Sequence, residues 1–342
     1  MNTLARLLAR EDLSREQAAA AMTEIVLGAA DPVRIAGFLV ALRAKGETAV
    51  EIAGLVDALL QAAVRVPVPG PTVDIAGTGG DGTNAVNIST MAAVVVAATG
   101  RTVVKHGGRA ASAGSAGSAD LVEALGVPLD LTPEQHVRVA REAGITFLFA
   151  AALHPGMRHA GPVRRALGVP TVFNALGPLI NPAEPTHRLI GVADPRLLPA
   201  IVETLRVRGA DALVVRGGDG LDKLSTAAPS HLWRVRDGAA TASVLDPAEL
   251  GIPRPDGDGL RGGSAADNVR VVHDLVAGRP GPVRDAVLLN AAGAVLVARG
   301  AAPEPDGFRA ALKICAEAVD TGRAAATLSR WIEASNRNFP LP

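Results

Sequence analysis

The sequence predicts an α/β protein in two parts, a small all-helical N-terminal unit and a large unit built on a mostly parallel sheet. Three observations carry that expectation. Residues 1–66 show helical periodicity and helix caps without a strand pattern; from Thr72 onward short apolar runs alternate with glycine loops and helices; and the hydrophobic content of 48% is led by alanine, valine and leucine, with 2% aromatics and no tyrosine. Such alternation buries a parallel sheet between helices on both faces. A chain of 342 residues is long enough for two domains, or for one large α/β domain with an appendage.

Within the first 66 residues the helix starts are marked by capping residues. Ser14, with Gln17 three positions on, makes a capping box, and Ala18, Met22, Ile25 and Val26 follow at helical spacing. Asp31-Pro32 sets an N-cap before a first-turn proline, ahead of Ile35, Phe38, Leu39 and Leu42. Thr48 and Glu51 repeat the box before Ile52, Leu55, Val56 and Leu59. Three or four short amphipathic helices are expected, and their apolar faces need a partner. VPVPGP at Val66–Pro71 breaks the rhythm and is the first candidate boundary.

Beyond it, strands expected at Thr72–Ala76 and Thr102–Lys105 each enter a glycine-rich loop and then a helix, Met91–Thr99 stopping at Gly100 and Ala119–Leu125 at Gly126. Ile145–Ala150, Leu189–Val192 and Ala212–Arg216 read as further buried strands, residues 246–263 as a surface excursion, and Val283–Val297 and Ala310–Asp320 as helices. Ligands of open parallel sheets sit at the carboxyl ends of strands, where both glycine loops lie.

The 34 basic residues balance 34 acidic ones, so no global field draws the chain to nucleic acid or an anionic membrane, and an anion site must be local. The single cysteine, Cys315, has no intrachain partner, which suits a reducing cytoplasm. No apolar stretch reaches the roughly 20 uninterrupted residues of a membrane helix, and charges at Arg6, Arg10, Glu11 and Asp12 interrupt any signal-peptide pattern. A soluble, cytoplasmic protein is expected.

The loop Gly77-Thr78-Gly79-Gly80-Asp81 suits a phosphate or pyrophosphate, because glycines reach φ > 0 freely and let backbone N–H groups approach an anion. Asn87, Ser89 and Thr90 add polar groups at the next helix start; a tight turn with Ser89 or Thr90 as a mere cap is the competing reading. This loop matches neither G-x-G-x-x-G nor the P-loop pattern. Lys105-His106-Gly107-Gly108-Arg109, with Ser112, Ser115 and Ser118, supplies charge and hydroxyls at a second strand end, so two loops facing one crevice could hold a ligand phosphorylated at both ends. His154, Arg158, His159 and Arg164 fall within eleven residues without a carboxylate, which disfavours an ordinary divalent metal site there. Arg164 is a candidate clamp for a carboxylate, and Arg165 for the helix surface. Phe173–Ala183 reads as a rigid, proline-defined connection. Asp219 and Asp222 follow a strand, and either could bind magnesium through oxygen.

Taken together and in order, GTGGDG with VNIST, VVKHG with RAAS, FLFA, HPGMRHAGPVRRALGVPTVFN, LGPLINPA and DGLD resemble the anthranilate phosphoribosyltransferase family over essentially the whole chain. The resemblance implies a fold of the nucleoside phosphorylase and phosphoribosyltransferase type, with a helical domain at residues 1–69 hinged to an α/β domain at 70–342. The segment of about 154–185 contributes to the hinge and the helical domain. It also implies a homodimer, magnesium, the donor 5-phosphoribosyl 1-pyrophosphate and the acceptor anthranilate. Carried over, Gly77, Gly79, Gly80, Asp81, Asn87, Ser89, Thr90, Lys105 and Ser118 would bind the donor; Gly77, His106, His154 and Arg164 would meet the acceptor; and Ser89 and Asp222 would hold metal. No essential general base is expected, although His106 or His154 could accept a proton.

Four departures stand out. The family's asparagine in KHGNR is Gly108, the loop after it is one residue longer, a hydroxyl residue before the VN pair is Ala85, and the glutamate after Asp222 is Lys223. At roughly 6 Å and an effective dielectric near 20, one unit charge acts on another with about 3 kcal/mol, so a lysine there is expected to leave the second metal weak or absent. Lys223 itself is expected to meet the pyrophosphate or to point to solvent. The alternatives are transfer to another aromatic or heterocyclic acceptor, a nucleic-acid-binding paralogue, disfavoured by the charge balance, and a pyrimidine nucleoside phosphorylase, unsupported by the loops.

Overall fold

The computed structural model describes residues 3–110, 116–255 and 259–337, so that Ser112 and Ser115 lie outside the described residues. The N-terminal unit holds α1 (Thr3–Leu8), α2 (Arg15–Val26), α3 (Pro32–Lys45) and α4 (Ala49–Gln61). Both capping boxes form, and Asp31 accepts from the Val33 amide. Glu51 is wholly buried, and the desolvation of its carboxylate is offset by bonds it accepts from Leu13 N at 2.9 Å and Lys45 Nζ at 3.0 Å, which tie the start of α4 to its neighbours.

The second unit is one seven-stranded sheet of β1 (Thr72–Gly77), β2 (Thr102–Gly107), β3 (Ile145–Phe149), β4 (His187–Gly191), β5 (Asp211–Gly217), β6 (Ser230–Arg236) and β7 (Ala239–Leu245). The spatial order is β3-β2-β1-β4-β5-β6-β7. The first five in that order are parallel and the last two antiparallel. The hairpin β6–β7 is absent from the expectation above; it turns through Asp237 and Gly238 at φ 50° and 72°, the left-handed pair that a two-residue hairpin loop requires. Around the sheet lie α5 (Ile88–Ala98), α6 (Ser118–Ala124), α7 (Pro133–Ala143), α8 (Ala150–Leu153), α9 (Gly161–Leu167), α10 (Phe173–Leu176), α11 (Leu198–Val207), α12 (Ala265–Val276), α13 (Pro282–Ala298), α14 (Pro305–Asp320) and α15 (Arg323–Asn336).

Two apolar clusters cover the two faces. One packs β1, β2 and β5 side chains against α5, α13, α14 and α15, with Met91, Val95, Leu289, Phe308 and Trp331 buried. The other joins Leu39, Leu42, Ile52 and Leu59 of the helical unit to Phe173, Leu176, Ile201 and Val214, so the N-terminal helices complete a face of the sheet through α9, α10 and α11. The proline-rich Val66–Pro71 stretch is anchored at its start, where Val66 is buried against Val104, Leu148 and Leu153 and Val64 N donates to Leu153 O at 2.8 Å, while Pro67, Pro69, Gly70 and Pro71 are exposed. Because β1 lies between β2 and β4, the strand order reverses at the β1–β4 junction, which opens a crevice at the carboxyl ends of those strands.

Candidate active site

At that junction β1 and β4 stay in register to their last residues, Gly77 opposite Gly191. A Cβ on Gly77 would stand 2.3 Å from Asp222 Oδ2, and one on Gly191 would stand 1.6 Å from the Asp222 carbonyl oxygen. Glycine is therefore needed on both strands for the loop after β5 to cross the crevice. The sequence reading singled out Gly77 and Asp222 but missed Gly191, since a lone glycine ending a buried strand looks like any strand terminus.

The first glycine loop leaves β1 and is held by Asp222, whose Oδ2 accepts the Gly79 N–H at 2.7 Å. Gly79, Gly80 and Gly82 take φ of 67°, 78° and 70°, with open space where a Cβ would point. Among the described residues neither Gly80 nor Gly82 makes a hydrogen bond, so their amides are free for an anion. Asp81 Oδ1 accepts from Thr83 N and Oγ1 at 3.1 and 2.9 Å, which closes the turn.

Lys223 lies neither in solvent nor out in the crevice. Its ammonium donates to Asp81 Oδ2 at 2.7 Å and to Asp222 Oδ1 at 2.5 Å, with the three side chains 16%, 13% and 9% exposed. Burial opposes charge on all three groups: at Asp81 the attraction of Lys223 prevails and holds the carboxyl well below the usual carboxylate range, at Lys223 attraction to Asp222 and Asp81 prevails and raises the ammonium, and at Asp222 burial prevails and raises the carboxyl.

Lys105 reaches the loop from below. It is 2% exposed and donates to Ile75 O at 2.7 Å and Ser89 Oγ at 3.2 Å, and burial lowers its pKa to about 8. Ser89 is thus no helix cap; the N-cap of α5 is Asn87, which makes no side-chain capping bond. The Asn87 amide instead donates to Ala116 O at 2.8 Å and accepts from Asn268 at 2.7 Å, joining the two loops to α12. Thr90 is 1% exposed beneath the loop, its hydroxyl without a partner among the described residues. Ser118 opens α6 and donates to Gly108 O at 3.3 Å. Asn87 and Ser118 thus hold the loops together, whereas the Thr90 hydroxyl makes no such bond among the described residues.

His106, on β2, and His154, after α8, meet edge to face with centroids 5.3 Å apart. The connection read as merely rigid orients both rings: His106 Nδ1 lies 3.3 Å from Gly177 O and His154 Nε2 lies 2.9 Å from Ile180 O. A carbonyl only accepts, so those nitrogens carry the protons and His106 Nε2 is left as a buried lone pair without a partner among the described residues. Burial lowers both rings to about 4, leaving them neutral at pH 7. Asn181 anchors the same connection, donating to Asp74 Oδ2 at 2.9 Å and Val104 O at 2.7 Å. Arg164, on α9, stacks 4.8 Å from the Phe173 ring, its pKa lowered by burial, with no ion pair among the described residues. Arg165 is exposed, as expected.

Of the two residues expected to hold magnesium, Ser89 offers a neutral hydroxyl met, among the described residues, by Lys105 alone, and Asp222 a carboxylate bonded directly to the Lys223 ammonium. Ser89 Oγ accepts from Lys105 Nζ at 3.2 Å and keeps a second lone pair, which an ion carried on substrate phosphates could use. Both oxygens of Asp222 are already engaged, by Lys223 and by Gly79 N. Among the described residues no group of three or more His, Cys, Asp or Glu could hold a metal ion. No helix of the described residues is long and apolar enough to cross a membrane.

The model described as "Glycosyl transferase family, helical bundle domain" matches residues 1–63, and "Glycosyl transferase family, a/b domain" matches residues 69–325. An anthranilate phosphoribosyltransferase of Salinispora arenicola is 51% identical over 343 residues, covering 99% of this chain and 97% of that protein. Its counterpart from Thermobifida fusca is 50% identical, covering 97% and 95%. Among solved structures, anthranilate phosphoribosyltransferase from Thermus thermophilus superposes with a TM-score of 0.91 at 40% identity, over 98% of this chain and 100% of that one. The Saccharomyces cerevisiae enzyme in complex with PRPP and Mg gives 0.88 at 27% identity, over 97% and 96%. With the glycine loops, the paired histidines and the crevice arranged as described, this chain belongs to the anthranilate phosphoribosyltransferase family.

Proposed function

We infer that this chain transfers the 5-phosphoribosyl group of 5-phosphoribosyl 1-pyrophosphate to the amine of anthranilate, releasing pyrophosphate, as a step of tryptophan biosynthesis. The observation that carries the reading is the turn at Gly79–Gly82, whose unpaired amides stand at the β1–β4 switch point. The bond from ribose C1 to the pyrophosphate oxygen breaks, the C1–N bond forms, and the amine gives up a proton. Magnesium bound with the donor supplies positive charge for the departing pyrophosphate, and Ser89 is the residue that would hold it.

The protein's own contribution is to fix charge and position. The Gly80 and Gly82 amides receive phosphate oxygens, while Lys105 orients Ser89 and places a buried positive charge behind it. Arg164 stands ready for the acceptor carboxylate, and the neutral His106 Nε2 accepts from the amine. An aromatic amine is mostly unprotonated at neutral pH, so positioning dominates and no strong base is needed. Residues 1–69 form the helical domain and 70–342 the α/β domain, with the segment of about 154–185 contributing to the hinge and to the helical domain. A homodimer through the helical domain belongs to the same reading.

Pyrophosphate release measured against a panel of aromatic and heterocyclic amines tests the reading. Turnover is expected with anthranilate. Turnover of a relative with none of anthranilate would show that Gly108 marks a different acceptor.

A further inference from the structure

Asp81 and Asp222 face one another beside the site proposed for a pyrophosphate, where two carboxylates and phosphate oxygens would on charge grounds gather a divalent ion. The space between them is filled. Lys223 Nζ lies 2.7 Å from Asp81 Oδ2 and 2.5 Å from Asp222 Oδ1. The remaining oxygens are engaged too, Asp222 Oδ2 by Gly79 N at 2.7 Å and Asp81 Oδ1 by Thr83 N and Oγ1. All four carboxylate oxygens thus have partners before any metal arrives. Magnesium demands near-octahedral oxygen contacts at about 2.0–2.1 Å, and an ammonium bonded to both carboxylates opposes it in position and in charge.

We propose that Lys223 is a tethered cation standing in for a divalent ion between Asp81 and Asp222, so that this chain takes up its sugar diphosphate with one divalent ion, held at Ser89, and not two. The geometry also gives the ammonium a second task. Asp81 belongs to the loop after β1 and Asp222 to the loop after β5, so Lys223 clamps the two together and presents the Gly80 and Gly82 amides already formed. A free divalent ion would do this only after binding; a side chain does it permanently. The inference rests on the donor reading above for its ligand, although the clamp itself is a property of the protein alone.

Manganese serves as the probe, with bound ion counted by electron paramagnetic resonance on the full chain, with and without 5-phosphoribosyl 1-pyrophosphate. Wild type is expected to bind one Mn²⁺ per chain with the donor and none at Asp222 without it. Lys223→Gln, which removes the ammonium from Asp81 Oδ2 and Asp222 Oδ1, is expected to gain one further ion in each condition, whereas Lys223→Arg, which keeps the charge, gains none. Circular dichroism establishes that the variants fold. Two ions on wild type with donor, or no gain in Lys223→Gln, overturns the proposal. If wild type fails to take up donor at any manganese concentration, the donor reading falls, and the donor-free count on Lys223→Gln still decides the role of the lysine: a gained ion supports it and no gain overturns it.

Discussion

Two glycines of the site differ in what surrounds them, and their substitution separates structural necessity from ligand choice. Gly191 faces the backbone of Asp222 so closely that a Cβ would stand 1.6 Å from its carbonyl oxygen. Gly191→Ala must displace the loop that carries Asp222 and Lys223, and with it the hold on Gly79. Donor affinity is expected to fall at least tenfold, about 1.4 kcal/mol, in calorimetric titration, with a lowered melting temperature. Among the described residues Gly108 has nothing within 4 Å of its would-be Cβ, so Gly108→Asn is expected to leave the melting temperature within a degree and to alter only the acceptor KM. Equal thermal losses in the two variants would refute this distinction. Residue types made the loops legible in the sequence: runs of glycine, a lysine and hydroxyls at strand ends signal an anion site wherever they occur. The destination of Lys223 was not legible, because its partner Asp81 stands 142 positions away and only the sheet brings them together.

Helix starts were readable one by one because capping is local: Ser14, Asp31 and Thr48 each carry their partner within three residues. The parallel strands were readable because burial on both faces makes them continuous apolar runs. The β6–β7 hairpin was not, since β7 is exposed over six of its seven residues and offers no apolar run, although Asp237-Gly238 marks its turn. The role of the segment from Gly177 to Asn181 was hidden for a different reason: it acts through carbonyl oxygens, which no side chain advertises. Asn181 fixes that segment to Asp74 and Val104, and the segment in turn holds both histidine rings. Asn181→Ala removes donors to two buried acceptors and is expected to cost about 1–3 kcal/mol of stability. The variant should raise the acceptor KM more than the donor KM. An unchanged ratio of the two constants would place Asn181 in the scaffold alone.

At the scale of the whole molecule, the helical unit, the connection after β3 and one face of the sheet share a single apolar cluster, so unfolding is expected to be cooperative across both units. Three histidines are sealed in this body: His106 and His154 at the site, and His136 on α7, where Nδ1 meets Thr146 Oγ1 at 2.9 Å. Burial lowers all three from 6.5 to about 4. Between those values the unfolded chain binds more protons than the folded one, so stability is fully present above pH 6.5 and is lost as the pH falls toward 4, by up to about 3 kcal/mol for each ring. Glu47 and Asp74, raised by burial, oppose this in the lower part of the window, while Asp81, held low chiefly by Lys223 against its burial, contributes only at more acid pH. The melting temperature followed by circular dichroism should therefore fall steadily from pH 7 to 4.5. His136→Gln removes one titrating ring far from the crevice and should flatten that slope by about a third or more, since raised carboxyls already offset part of the contribution of the three rings, whatever it does to the melting temperature at pH 7. Parallel slopes for wild type and variant would mean that the acid sensitivity arises elsewhere.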